Sequence, residues 1–346
     1  MYKKILITGG AGYIGSHTLI DLAEITTEKL ISVDNFGNSS AATFDRIAAI
    51  CKKKVDNTEI DLSDLQKTTE VFQNNKITAI IHFAARKAVG ESVEQPLKYY
   101  HNNIQSLVNL LQCCEEFKVN NFIFSSSCTV YGQPEVLPVD ESSPILPAES
   151  PYGNTKQIGE EIIKDFCAAN PSFKAIALRY FNPVGAHISG LNGELPTGVP
   201  SNLIPFITQT AIGLREELTV FGGDYNTRDG SCVRDYIHVS DIAHAHTLAL
   251  NRLQNKNNKE QFEVFNLGSG NGTTVLEAIK AFEKVSGVSL NYKIGPRRDG
   301  DIEQVYSDST KAKNELGWET KISLDEMMSS AWKWELQLKV EREKLQ

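Results

Sequence analysis

Short apolar runs and longer stretches of mixed apolar and polar residues alternate along the first half of the chain. Strands are expected at residues 3–8, 30–34, 56–60, 78–83 and 121–125. Between them, helical stretches begin near Gly15, run through the 40s to Lys53, follow the cap-like Asp61-Leu62-Ser63-Asp64, and span 97–117. Such alternation predicts a parallel sheet with helices on both faces. Pro151 stands before Tyr152, and Glu160, Glu161 and Ile162 follow, so this segment reads as a helix with Tyr152 in its first turn. Beyond Asn182 the pattern loosens, with residues 185–201 rich in Gly, Pro and Asn. A helix over 202–213, a strand over 218–222 and helices from Thr273, Ser309 and Leu324 come next. The expected fold is α/β: a doubly wound parallel-sheet domain over 1–182 and a smaller mixed α/β domain over 183–346.

Composition narrows the class. At 41% hydrophobic and 23% charged, the 346 residues are those of a globular protein with a full core. The net charge of −8 argues against a general nucleic-acid binder. No apolar run approaches the ~18 residues a membrane span needs. The opening Met1-Tyr2-Lys3-Lys4 lacks a signal-peptide core, and the six cysteines show no Cys-x-x-Cys spacing. A cytoplasmic protein with reduced thiols is the expectation. His238, His244 and His246 invite a metal reading. However, residues two apart on a helix face different ways and a cluster of three ligands is missing, so no metal is expected.

The first strand runs into Gly9-Gly10-Ala11-Gly12-Tyr13-Ile14-Gly15. One glycine makes a tight turn, one lets backbone N–H groups approach a pyrophosphate, and one lets helix and strand pack closely. Asp34 ends the next strand, 19 residues past Gly15, where a carboxylate would bond the adenosine ribose hydroxyls. Its charge would repel a 2′-phosphate, so NAD is expected rather than NADP. Ala84-Ala85 after the fourth strand would let a cofactor lie close. Phe83, Lys87, Asn102 and Ser127 all fall at or after strand ends, where ligands of such sheets bind.

Tyr152 and Lys156 lie four apart, one helical turn, which puts phenol and ammonium on one face. A lysine charge there favours the phenolate and lowers the tyrosine pKa, so that Tyr152 can take and return a proton. The serine triplet 125–127 ends a strand, and a hydroxyl there can donate to an oxygen on the reacting carbon.

The Gly-x-x-Gly-x-x-Gly spacing at 9–15 with Tyr-x-x-x-Lys at 152–156 resembles the extended branch of the short-chain dehydrogenase/reductase superfamily. Phe83 to Ser92, Arg179 to His187 and Val233 to Val239 narrow the resemblance to the UDP-glucose 4-epimerases, from residue 3 to about 335. Arg86 and Ala85 depart from the Leu and Gly common in the bacterial members, and Asn154-Thr155 inside the catalytic turn is a further departure. None removes a catalytic group.

The resemblance implies Ser127, Tyr152 and Lys156 as catalytic residues. Around NAD it places Gly9, Gly12, Tyr13, Ile14 and Gly15; Asp34, Asn35, Asn38 and Ser39; Asp61 and Leu62; Phe83, Ala84, Ala85 and Lys87; and Asn102 and Tyr180. For the UDP-sugar it implies Lys87, Asn182, Asn202, Leu203, Thr219, Val220 and Phe221, with Arg234 and Arg298 on the diphosphate and Asp301 on the uridine ribose. Val305 falls at the site that gates room for an N-acetyl group, which leaves activity on UDP-N-acetylglucosamine open. It further implies that residues 235–266 pack partly back on the first domain, and that the protein is a homodimer through two long helices. The implied reaction is reversible epimerisation at C4 of UDP-glucose and UDP-galactose through a transient 4-keto sugar and bound NADH. A nucleotide-sugar 4,6-dehydratase would share fold and cofactor, but needs an acid–base pair where Cys128 and Thr129 stand. A non-catalytic NAD-binding module would not need Ser127, Tyr152 and Lys156.

Overall fold

The computed structural model describes residues 2–297 and 302–344. Its centre is a seven-stranded sheet, all of whose pairings are parallel. The chain enters it through β1 (Lys3–Thr8), α1 (Tyr13–Ile25), β2 (Lys29–Val33), α2 (Ala42–Cys51), β3 (Asp56–Thr58), α3 (Leu65–Asn74) and β4 (Lys76–His82). It continues through α4 (Val89–Glu94), α5 (Pro96–Phe117), β5 (Asn121–Ser127), α6 (Pro151–Ala169) and β6 (Lys174–Tyr180). Strand order is β3-β2-β1-β4-β5-β6, closed at one edge by β11 (Phe262–Leu267), which pairs with β6 from Phe262↔Ala175 to Leu267↔Tyr180.

Neighbouring residues of each strand serve opposite faces. Ile5, Ile7, Ile81, Ile123 and Leu178 pack with Leu19 and Leu22 of α1 and with Ile242 and Leu250 of α8 (Val239–Gln254). Leu6, Ile80, Phe122, Phe124 and Ala177 pack with Val71, Leu107, Leu110 and Ile163 of α3, α5 and α6. A strand buried on both faces reads as a continuous apolar run, which is why these strands stand out in the sequence.

The remaining elements build a smaller layer beyond the carboxyl ends of the strands. They are β7 (Asn182–Val184), α7 (Leu203–Ala211), β8 (Leu218–Phe221), β9 (Val233–Arg234), β10 (Tyr236–His238), β12 (Thr273–Thr274), α9 (Val275–Ser286), β13 (Tyr292–Gly295), β14 (Gln304–Val305) and α10 (Leu324–Glu343). Ile204, Ile207, Val220, Phe282 and Met328 centre their own core. Thr274 and Ser323 cap α9 and α10 with full capping boxes, so α9 begins two residues past the expected Thr273. The segment from Ser309 makes only a short turn ending in a π-helical stretch over 312–316. Among the described residues, no helix is long and apolar enough to cross a membrane.

Candidate active site

The glycine turn joins β1 to α1. Gly9 has φ +72°, and a Cβ there would stand 2.8 Å from the Ala84 backbone nitrogen; a Cβ on Gly15 would fall 2.3 Å from the Gly9 carbonyl oxygen. Side chains at either position would close the turn. Gly12 caps α1 without a side-chain bond, and the first turn carries no acidic residue. Its first N–H groups have no acceptor within the helix, which makes the turn fit to receive the pyrophosphate of a dinucleotide.

Asp34 stands at the end of β2 and faces this turn. One carboxylate oxygen accepts from Ala11 N–H at 2.9 Å; the other accepts from Phe36 N–H at 2.9 Å and Ser39 Oγ at 2.8 Å. A carboxylate offers about four acceptor positions, so three bonds fix its orientation and leave capacity for a hydroxyl. Asp61 accepts from Ser63 and, more weakly, from Asn35; burial opposes its ionisation, but these bonds hold its pKa low. Asn38 is exposed beside them, whereas the Leu62 side chain is buried in the core, leaving its backbone to any ligand. Ile14 is partly buried against the core under the turn, and Ala85 is partly exposed after β4. Phe83 continues β4 through its N–H to Thr8 O, and its ring lies 4.6 Å from that of His246.

Ser127, Tyr152 and Lys156 converge at the ends of β5 and α6. Ser150 caps α6 at Gly153 N–H, and Pro151 occupies its first position, so Tyr152 is held in the opening turn. Ser127 Oγ accepts from Thr129 N–H at 3.3 Å, which leaves its own proton to donate. Lys156 is buried, donates to Ser125 O at 2.6 Å and lies 4.9 Å over the Phe124 ring. Tyr180, the register partner of Ser127 on β6, bonds through its hydroxyl to Ser125.

One expectation is corrected. Tyr152 is not lowered by Lys156: burial pushes its phenol up to about 12, although a hydrogen bond with Ser127 pulls the other way. The ammonium is turned to the Ser125 carbonyl and lies 5.9 Å from the Tyr152 ring centre. Burial also brings Lys156 down to about 8, with the Glu160 charge opposing it.

The sequence singled out Asn102, but its neighbour Asn103 does more in the fold. Asn103 accepts from Arg86 N–H and donates to Arg86 O and to Thr155 Oγ1 at 3.0 Å, tying the turn after β4 to α6 one residue before Lys156. Asn102 donates to Asn103 at 3.0 Å.

Across the cleft, Lys87 and Asn202 meet on one carboxylate that sequence reasoning missed. Glu194 Oε1 accepts from Lys87 Nζ at 3.1 Å and from Asn202 Nδ2 at 2.7 Å, and the Glu194 carbonyl accepts from Trp334 Nε1 of α10. Lys87 Nζ is also 5.9 Å from the Tyr13 ring, whose hydroxyl donates to Gly185 O. Leu203 opens α7 beside Asn202, and Asn182 opens β7. On β8, Thr219 and Phe221 are at least partly exposed, but Val220 is buried in the core, so its side chain cannot line a ligand site. Arg234 and Val305 are register partners on β9 and β14. Val305 is buried in the core rather than open to a ligand. Arg298 and Asp301 lie outside the described residues.

The three histidines have structural partners: His238 caps α8 at Ser240 N–H, His246 bonds Ile242 O, and His244 meets Asp21 at 3.4 Å. Among the described residues, no group of three or more His, Cys, Asp or Glu could hold a metal ion.

Known proteins resemble this chain along nearly its whole length. The family profile described as GDP-mannose 4,6 dehydratase matches residues 6–331. A UDP-glucose 4-epimerase of Bacillus subtilis is 49% identical over 331 residues, covering 96% of each chain. A Bifidobacterium longum UDP-glucose 4-epimerase, solved with NAD+ and UDP, superposes with a TM-score of 0.92 at 46% identity over 96% of this chain and 98% of that one. The Stenotrophomonas maltophila enzyme, solved with NAD and formylated UDP-arabinopyranose, gives 0.94 at 43% identity over 98% and 99%. A likeness confined to the glycine turn and the sheet would indicate only the superfamily. This one runs on through β7 to α10, and the chain belongs to the UDP-glucose 4-epimerase family.

Proposed function

We propose that this chain interconverts UDP-glucose and UDP-galactose by inverting the sugar at C4, with NAD as its resident cofactor. The observation that carries this is the convergence of Ser127, Tyr152 and Lys156 at the end of β5 and the start of α6, in a chain of this family that also carries a glycine turn fit for a dinucleotide. NAD, held by the glycine turn and Asp34, would supply an acceptor for a hydride and, in its oxidised form, a positive charge that favours the Tyr152 phenolate. The protein's own groups supply the rest. Tyr152 takes the proton of the 4-hydroxyl, and Ser127, which keeps its own proton, can bridge that oxygen. One N–H of Lys156 is committed to Ser125 O, so two remain for the cofactor ribose. Asp34 faces the adenosine end and selects against a 2′-phosphate.

The opposite configuration arises when the 4-keto sugar turns over before the hydrogen returns. That requires a firm hold on UDP and a loose one on the hexose. Arg234 and Arg298 are assigned to the diphosphate, where guanidinium forks match phosphate oxygens. Asp301 and the exposed side of β8, Thr219 and Phe221, are assigned to the uridine. Residues 1–182, with 235–266, form the cofactor half and 183–346 the nucleotide-sugar half. The protein works as a cytoplasmic homodimer joined through α5 and α6; Leu97, exposed in the first turn of α5, supports that pairing. Elimination in place of epimerisation is disfavoured by Cys128, which follows Ser127: burial pushes its thiol up to about 12, so it is no acid or base at neutral pH.

The test is incubation of purified protein with UDP-galactose and no added NAD, followed by chromatography of the sugar nucleotides. UDP-glucose should appear, and Tyr152→Phe should slow its formation by about 10²-fold or more. A 4-keto-6-deoxy product would contradict the proposal, as would no turnover even with NAD supplied.

A further inference from the structure

Behind the catalytic groups lies a buried ion pair that the proposed reaction does not use. Tyr152, Lys156 and Glu160 follow one another at four-residue steps along one face of α6. Lys156 and Glu160 are 4% and 8% exposed, so their charges act on each other with little help from water. Glu160 Oε1 accepts from Ser126 Oγ at 2.5 Å and from Arg179 Nε at 2.9 Å; Oε2 accepts from Arg179 Nη2 at 2.5 Å. Arg179 Nη1 donates to the Tyr131 hydroxyl at 2.9 Å, and that hydroxyl donates to Asn266 Oδ1 at 2.6 Å. Ser126 immediately precedes Ser127. Arg179 immediately precedes Tyr180 and is the register partner of Ser126.

A buried pair of this kind gains little stability over well-packed apolar residues, because desolvation of both ions offsets their attraction. Its position, in contrast, has a clear consequence. We propose that Glu160, held by Arg179, is a positioning residue for the epimerisation: its carboxylate fixes the strand end that carries Ser127 and supplies the counter-charge that keeps Lys156 an ammonium. This rests on the reading of Ser127, Tyr152 and Lys156 given above.

The surroundings of Lys156 leave that task to Glu160. His82 of β4 is buried and neutral, its pKa brought down to about 3 by burial and by Lys156 itself. From β6 come Arg179, engaged with Glu160, and Tyr180, whose hydroxyl is bonded to Ser125 and whose pKa burial raises. Tyr152 and Cys128 are both held protonated by burial. From α5, Asn103 contributes an uncharged amide. Removing the Glu160 charge therefore lets burial of Lys156 act unopposed, and its proton is lost at lower pH.

The experiment uses the purified holoenzyme with Glu160→Gln and with Glu160→Gln/Arg179→Met, which leaves no guanidinium buried without a partner. kcat and KM for UDP-galactose are followed from about pH 6 to about pH 10, with thermal melting in parallel. In variants that melt cooperatively, KM should stay within about twofold while the alkaline limb of kcat moves down by about one pH unit, roughly a tenfold loss on that limb. Glu160→Asp should restore the limb in part. A folded double variant with the wild-type limb would overturn the proposal, as would a loss of kcat equal at every pH. If neither Glu160 variant folds, Ser126→Ala, which keeps the ion pair, must lower kcat with KM unchanged; an unaltered kcat there overturns it. Wild-type protein without epimerase activity would instead sink the functional reading.

Discussion

Tyr152 and Lys156 are each moved by burial away from the form their chemistry needs, the phenol up to about 12 and the ammonium down to about 8. A tyrosine base that burial holds protonated at neutral pH must be brought down by what binds beside it. A spectroscopic titration should therefore find the Tyr152 phenolate at lower pH in NAD-loaded protein than in protein stripped of cofactor, with the difference absent in Tyr152→Phe. Because Lys156 loses its proton from about pH 8 upward, kcat should fall on the alkaline side of that value in the wild type. Lys156→Met should lose both that limb and most of the bound cofactor. At this scale, residues joined by short sequence spacing were legible: one helical turn links Tyr152 to Lys156, and a fixed spacing links the glycines to Asp34. Asn103, Glu160 and Glu194 were not, because their partners lie 52, 19 and 107 positions away at Thr155, Arg179 and Lys87. Only the folded chain brings those charges and amides together.

Among elements, the glycine turn and the β2 end act as one unit. Asp34→Ala would leave the buried Ala11 N–H without its acceptor, a loss of about 1–3 kcal/mol, and would remove the carboxylate facing the adenosine site. On the proposed function, the expected result is a lower melting temperature together with protein that retains less NAD than the wild type, read from its absorbance ratio. Equal cofactor content in a destabilised Asp34→Ala would show the carboxylate to be structural alone. The strand–helix alternation was readable because both faces of each strand are apolar. The end of β5 was not: the expected strand stops at Ser125, yet Ser125 to Ser127 all pair with Leu178 to Tyr180. Their hydroxyls find Tyr180, Glu160 and Thr129, so three polar residues can continue a buried strand. Val220 shows the converse. Its segment was recognised from the family, but the two-residue period of β8 turns that side chain into the core.

Over the whole molecule, the two ends of the chain are interlocked rather than strung in order. β11 returns to the edge of the central sheet, α8 packs on α1, and Glu194 joins Lys87 to Asn202 across the cleft. The Glu194 bridge had no signal in the sequence, because two of its three partners come from distant segments. Four buried histidines add a whole-molecule property. His17, His82, His238 and His246 are held neutral by burial, with pKa values brought down to about 3, 3, 4 and 4. The unfolded chain protonates each of them near 6.5, so it binds more protons as pH falls through that value. Their contribution is full above about pH 6.5 and is lost progressively toward pH 4, at about 1.4 kcal/mol per pH unit for each histidine. Glu141 and Asp241, raised by burial, oppose this in part. Melting temperature should fall between pH 7 and pH 5, and His246→Gln should flatten that fall; a flat profile in the wild type would contradict this account.

The most direct test of the central claim follows the hydrogen at C4. UDP-galactose deuterated at that carbon is incubated with the purified protein, without added NAD, and the product is analysed by mass and proton NMR. The account predicts UDP-glucose with deuterium still on C4, because the hydrogen leaves with its electron pair and returns to the same carbon from within the closed site. UDP-glucose carrying solvent hydrogen at C4 would mean that the carbon is deprotonated instead, and would contradict the roles given to Tyr152, Ser127 and the cofactor.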